Sequence, residues 1–157
     1  MEQNIVYKTA RTVIEFEQAR VLFKEYADDL GVDLSFQDFE TELRTIHVQY
    51  NEPDGGLLLA FINDYAVACA AVRRSDDETA ELKRMYVKSR YRGQRIGVEL
   101  LKRSLNLAKN LGYKMIRLDT LENMTRAQEL YKSFGFYTIP PYRFNPIRGT
   151  IYMEKAL

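Results

Sequence analysis

Apolar positions along the chain recur with two spacings that predict a mixed α and β protein. Spacing near 3.6 residues predicts a first helix from about Val13 to Leu30 that ends at Gly31. Thr12 and Glu15 stand three residues apart at its start, as in a capping box. A second helix is predicted from Ser35, with an apolar side made of Phe36, Phe39, Leu43, Ile46 and Val48.

Shorter apolar stretches predict seven strands. Asn63-Asp64 separates two of them and favours a tight hairpin turn. The predicted strands are residues 5–7, Leu57–Ile62, Tyr65–Val72, Thr79–Val87, Met115–Leu118, Phe136–Ile139 and Gly149–Glu154.

Two further helices are predicted, from about Arg95 to Leu111 and from Asn123 to Phe134. The first lies between two strands, so those strands form a parallel pair with a right-handed crossover. The element order predicts an α+β fold with a mixed, mostly antiparallel sheet of about seven strands and about four helices. A chain of 157 residues suits one domain, spanning residues 1–157.

Composition narrows the classes of partner. The net charge of +1 gives no global field for nucleic acid or an anionic membrane, and no apolar run reaches the roughly 20 residues of a membrane span. Cys69 is the single cysteine and His47 the single histidine, so we expect neither a disulfide nor a metal site. The first residues lack a signal-peptide pattern, so we expect a cytoplasmic protein.

The stretch from Glu81 to Gly97 combines a strand, a basic loop and the start of a helix. Free N–H groups in the first turn of a helix and the helix dipole favour an anion. The stretch therefore predicts a phosphate-binding site. A dinucleotide-binding Rossmann fold is excluded by order, because its glycine motif belongs in the first strand–helix unit.

These residues resemble the GNAT superfamily of acetyl-CoA-dependent N-acetyltransferases. Arg92-Gly93-Gln94-Arg95-Ile96-Gly97 aligns with the family's phosphate loop, with Arg95 where the family has glycine. A second, independent match lies downstream at Asn123, Ala127, Leu130-Tyr131 and Phe134-Gly135-Phe136. Together the two motifs cover both sides of the expected cofactor site.

The resemblance implies direct acetyl transfer from acetyl-CoA to an amine. It implies that the backbone of strand residues 85–87 binds the pantetheine arm and that N–H groups from Gly93 to Val98 take the pyrophosphate. The implied coenzyme A residues are Met85, Tyr86, Val87, Arg92, Gly93, Gln94, Arg95, Ile96, Gly97, Val98, Asn123, Ala127 and Tyr131.

Two residues are candidates for proton transfer. Tyr131 matches the family's tyrosine, and a phenol with a pKa of about 10 is protonated at working pH and can act as the acid. Glu81 is the candidate base, although it could instead pair with Lys83. Strict alternation places Glu81, Lys83, Met85 and Val87 on one face of the strand and Leu82, Arg84 and Tyr86 on the other.

If the resemblance holds, we expect the acceptor to be a small amine, an amino acid or a peptide. Further candidates for contact with it are Phe36, Tyr50, Asp119, Thr120 and Tyr142. The main alternative function is a non-catalytic module that senses acyl-CoA or regulates a partner. Nucleic acid and membrane are not expected as partners, and a homodimer is possible.

Overall fold

The computed structural model describes residues 4–31 and 33–157, without the side chain of Phe36. Within these residues the strands are β1 (Ile5–Thr9), β2 (Gly56–Ile62), β3 (Tyr65–Arg74), β4 (Thr79–Val87), β5 (Met115–Thr120), β6 (Tyr137–Ile139) and β7 (Ile151–Ala156). The α-helices are α1 (Val13–Leu30), α2 (Phe39–Arg44), α3 (Ile46–Gln49), α4 (Ile96–Asn110) and α5 (Thr125–Ser133).

The seven strands form one sheet in the order β1-β2-β3-β4-β5-β7-β6. β4 and β5 pair in parallel, and the other neighbours described pair antiparallel. The helix α4 connects the parallel pair, as the strand–helix–strand pattern predicts. The predicted α+β fold with a mixed sheet is therefore confirmed.

Each face of the sheet has its own apolar core. On one face, Leu100, Leu101 and Ala108 of α4 pack against buried residues of β2 to β5. On the other face, Phe16, Leu22 and Phe23 of α1 pack with α3 against residues of β2 and β3 and against Tyr86 of β4. Among the described residues, no helix combines the length and apolar character that crossing a bilayer requires.

Local predictions at α1 and at the β2–β3 hairpin are confirmed. The Glu15 N–H donates to the Thr12 hydroxyl at 3.1 Å, and the Thr12 N–H donates to the Glu15 carboxylate at 3.0 Å, which completes the capping box. Asn63 and Asp64 take φ values of 51° and 67°, as a two-residue hairpin turn requires.

The predicted second helix is wrong as a continuous element. Ser35–Gln37 forms a single 3-10 turn, and α2 and α3 are separated at Thr45, whose hydroxyl donates to the Thr41 carbonyl at 2.7 Å. A β-branched residue that bonds back to the preceding turn interrupts regular helix. Val48, expected on the apolar side, is exposed.

Candidate functional site

The site begins where the parallel strands β4 and β5 separate. Their pairing covers only Thr79–Glu81 against Met115–Arg117, although both strands continue beyond it. Past this point the two strands enclose a cavity of about 30 Å³, here called the inner cavity. Its lining residues are Tyr26, Leu82, Lys83, Arg84, Met85, Leu118, Asp119, Thr120, Met124 and Tyr131.

A bulge at Arg84 controls which side chains of β4 reach the site. Arg84 has a φ of 55°, and the pairing of β3 with β4 shifts register between Cys69 and Ala71. The Cys69 thiol donates to the displaced Arg84 carbonyl at 3.2 Å, which satisfies that buried oxygen. Burial raises the pKa of Cys69 well above its ordinary value, so the thiol stays protonated as this donor.

The bulge overturns the strict alternation expected for β4. Met85 and Val87 lie with Leu82 on the α4 face, whereas Tyr86 packs in the α1 face. Arg84 also turns to the α1 side, where it contacts α2. The predicted grouping of side chains was therefore wrong beyond Lys83, because one extra residue in the strand reverses the order of faces.

A long groove extends from the inner cavity along the opening between β4 and α5. It consists of a cavity of about 660 Å³ and a neighbouring cavity of about 410 Å³, which share Arg92, Arg126 and Ala127. Of the predicted coenzyme A residues, those lining it are Met85, Tyr86, Val87, Arg92, Gly93, Arg95, Ile96, Gly97, Val98, Asn123 and Ala127. Tyr131 lines the inner cavity instead, and Gln94 lines none of these cavities.

The far end of the groove is suited to an anion. Gly93 and Arg95 have φ values of 85° and 62°, and Arg95 is the N-cap of α4 without a side-chain capping bond. N–H groups of the first turn of α4 are therefore open to a ligand. A Cβ on Gly97 would lie 3.9 Å from Val87 and 4.0 Å from Leu130, so the glycine keeps this end of the groove wide.

Tyr131 is buried beneath this opening. Its side chain is 7% exposed, and its ring meets Phe136 edge-on with centroids 5.7 Å apart. Burial, with contributions from Tyr26 and Asp119, raises its pKa far above the ordinary value of a phenol. Tyr131 therefore stays protonated at any working pH, and its O–H can donate a hydrogen bond.

Glu81 is already engaged by positively charged groups. It is 3% exposed, and its carboxylate accepts a hydrogen bond from Arg73 Nε at 2.9 Å and one from the Tyr142 hydroxyl at 2.9 Å. Arg143 forms an ion pair with the same carboxylate. Two arginines and a phenol therefore contact the Glu81 carboxylate, and each of its oxygens already has a partner.

Asp119 offers a freer carboxylate. Its Oδ2 atom is buried and has no hydrogen-bond partner among the residues the structure describes, and Arg143 Nε lies 3.7 Å away, too far for a good hydrogen bond. Asp119 and Thr120 line both the inner cavity and a second cavity of about 30 Å³ beside Asn145 and Ile147.

A buried ion pair supports the α1 side of the site. Arg84 donates to both carboxylate oxygens of Glu42, from Nη2 at 2.7 Å and from Nε at 2.9 Å, and the Tyr50 hydroxyl donates to Glu42 at 3.0 Å. Burial opposes ionisation of Glu42, but the hydrogen bonds and charge of Arg84 hold the pKa of Glu42 below its usual value.

Two predicted acceptor contacts do not reach the cavities. Tyr50 has 0% exposed surface, so it supports Glu42 from within the core and cannot touch an acceptor. Tyr142 instead holds Glu81 and packs edge-on against Tyr152. The side chain of Phe36 lies outside the part of the chain that the structure describes.

Several site residues were missed from the sequence. Tyr26 lines three of the cavities, and Arg73 and Arg143 hold Glu81, yet no local motif marks any of them. Arg126 borders both parts of the groove. Arg126 lies in the first turn of α5, three residues after Asn123. That position at a helix N-terminus was the sequence feature that could have indicated an anion-binding residue.

Comparisons with known proteins bear on the family and the fold of this chain. Residues 19–136 match the family model described as acetyltransferase (GNAT) family. An uncharacterized N-acetyltransferase of Schizosaccharomyces pombe is 36% identical over 98% of this chain and 96% of its own length. An acetyltransferase structure from Streptococcus agalactiae superimposes with a TM-score of 0.81 at 26% identity, covering 99% of this chain and 100% of the other.

A third relative has a named product. N-acetylaspartate synthetase of Danio rerio is 32% identical over 79% of this chain, which spans 48% of that longer protein.

Proposed function

The chain belongs to the acetyltransferase (GNAT) family and is an acyltransferase, and we propose that it moves an acetyl group from acetyl-CoA to the amine of a small molecule, amino acid or peptide. The observation that carries this proposal is a series of neighbouring cavities that share lining residues. The groove leads from the start of α4, past the separated strands, to Tyr131 and Asp119.

The groove residues fit coenzyme A. Open N–H groups at the start of α4 and the charges of Arg92, Arg95 and Arg126 suit its phosphates. Gly97 leaves room for a chain to pass between β4 and α5. When bound, acetyl-CoA supplies a thioester carbonyl for an amine to attack. The proposed binding residues are those predicted from the sequence, apart from Gln94, with Arg126 added.

Two side chains carry the proposed proton transfers. Tyr131, held protonated by burial, donates a hydrogen bond or a proton to the departing sulfur. The incoming amine is mostly an ammonium at neutral pH and must lose a proton before it can attack. Asp119 lines the inner cavity, and its Oδ2 atom has no hydrogen-bond partner among the described residues. In this proposal Asp119 binds the ammonium and accepts the proton that the ammonium loses, while Glu81 orients Arg143 beside it.

The relative with a named product supports an amino acid as one class of acceptor, since its name specifies an acetylated amino acid. The test incubates the protein with acetyl-CoA and a panel of amines while free thiol is followed. We expect amine-dependent thiol release. Tight binding of coenzyme A with no thiol release for any amine would instead support a non-catalytic acyl-CoA sensor.

A further inference from the structure

Lys83 is a buried cation that the chemistry above does not use. It is 6% exposed, and its Nζ atom donates to Gln37 Oε1 at 3.2 Å. Within the described residues, no carboxylate lies in ion-pair range of Lys83. The nearby cations differ, because Arg84 is paired with Glu42 and both Arg73 and Arg143 are paired with Glu81.

The surroundings of Lys83 disfavour its charge. Burial, and then the charges of Arg84 on β4 and Arg73 on β3, lower the pKa of Lys83 to about 7, against smaller opposing effects of Glu42 on α2 and Asp119 on β5. An anion placed next to Lys83 would stabilise the protonated form. Among the described residues, Lys83 has a hydrogen bond to Gln37 but no carboxylate close enough to form an ion pair.

Lys83 lies where a bound ligand could pair with its charge. Lys83 and Asp119 line the same inner cavity, together with Tyr131. The cavity is thus lined by a lysine on β4 and an aspartate on β5, the two separated strands, and the Oδ2 atom of that aspartate has no hydrogen-bond partner among the described residues. A small group that carries both an ammonium and a carboxylate matches this pair.

We propose that the acceptor is an amino carboxylate, with its carboxylate bound by Lys83 and Gln37 and its ammonium received by Asp119. This inference rests on the proposed acetyl transfer and narrows its acceptor class. The inner cavity of about 30 Å³ is about the size of one water molecule, so the acceptor occupies it together with the second small cavity, which Gln37 and Asp119 line. Lys83 is thereby a specificity-determining residue.

The test compares acceptors that differ only in the carboxylate. Thiol release is measured for alanine, alaninamide and ethylamine, and for aspartate and its diamide, with the wild type, Lys83→Met and Lys114→Met. Lys114 is an exposed lysine paired with Glu78, so its variant removes the same charge elsewhere. Differences in amine basicity cancel when each variant is compared with the wild type on the same acceptor.

We expect Lys83→Met to lower kcat/KM for the amino acids by about 10- to 100-fold, mainly through KM, the size typical of a lost charged hydrogen bond. The amides and ethylamine should change by less than about threefold. Equal losses for all acceptors, or no loss for any, would overturn the inference. Thiol release from no amine at all with the wild type would instead overturn the acetyl transfer itself.

A measurement on the wild type alone covers the case of a poorly folded variant. Propionate, which keeps the carboxylate of alanine without its amine, should inhibit competitively against alanine. Propionamide should not inhibit at the same concentration. Equal inhibition by both compounds, or by neither, would contradict a carboxylate site at Lys83.

Discussion

At the scale of residues, burial determines what each polar group of the site can do. Burial raises the pKa of Tyr131, which makes the phenol a permanent proton donor, whereas it lowers the pKa of Lys83 to about 7. Glu81, equally buried, is bound by Arg73 and Arg143. The same loss of water thus moves the pKa values of Tyr131 and Lys83 in opposite directions, because burial disfavours the charged form of each group.

Replacing Tyr131 with Phe tests the proposed acid. Since the hydroxyl is removed and the ring retained, packing against Phe136 should persist. We expect kcat to fall by about 100-fold, the lower range for general acid catalysis, with the affinity for coenzyme A unchanged. A thiol-release assay measures kcat, and calorimetric titration measures the affinity for coenzyme A. An unchanged kcat would remove Tyr131 as the acid.

Lys83 also predicts a pH dependence of stability. Its pKa of about 7 in the folded protein lies below the value of about 10.4 for an unfolded chain, so the unfolded state binds more protons between those values. Lys83 therefore destabilises the fold most below pH 7, and this penalty, of order a few kcal/mol, declines as pH rises.

The variant Lys83→Met removes that dependence. We expect it to be more stable than the wild type near pH 6, with an advantage that shrinks steadily toward pH 9. Urea unfolding at several pH values, with Lys114→Met as the exposed control, measures the difference. A constant difference across this range would mean that Lys83 titrates normally in the folded protein.

Arg95 takes a backbone conformation that glycine adopts freely. Its φ of 62° lies in the left-handed region, which costs a residue with a Cβ about 1–2 kcal/mol. Arg95→Gly should therefore be more stable than Arg95→Ala by about 1 kcal/mol, although both lose the same charge. Both should raise KM for acetyl-CoA equally if the charge matters. Equal stability of the two variants would contradict the strain.

At the scale of elements, the strands and long helices followed from local pattern, and the distortions between them did not. Thr79–Val87 was predicted as a strand with the observed limits. Its bulge at Arg84 was not predictable, because it depends on Cys69 in the neighbouring strand and on Glu42 in α2. Alternation rules describe a regular strand and do not predict a residue that departs from it.

The Arg84–Glu42 pair connects that bulge to α2. Replacing Glu42 with Leu leaves the Arg84 charge buried without a partner, which should cost about 3–5 kcal/mol of unfolding free energy. The double variant Glu42→Leu with Arg84→Met should recover most of this loss. Glu40→Leu, at an exposed position of α2, is the control. A cost below about 1 kcal/mol for Glu42→Leu would contradict the role of the pair.

At the scale of the whole molecule, the order of elements predicted the location of the site, and tertiary contacts determined its chemistry. The motifs at Arg92–Gly97 and Asn123–Phe136 identified the two walls of the groove. The choice between Glu81 and Asp119 could not be made from sequence. It depends on Arg143, which lies 62 residues beyond Glu81 in the chain and reaches both carboxylates.

The most direct test of the account follows the acetyl group itself. Wild-type protein is incubated with acetyl-CoA labelled with carbon-13 in the acetyl group and with an amino acid, and the products are measured by mass spectrometry. We predict an N-acetylated amino acid that carries the label and equals the free coenzyme A in amount. Labelled acetate in place of that product, or no release of coenzyme A with any amine, would contradict acetyl transfer to an amine.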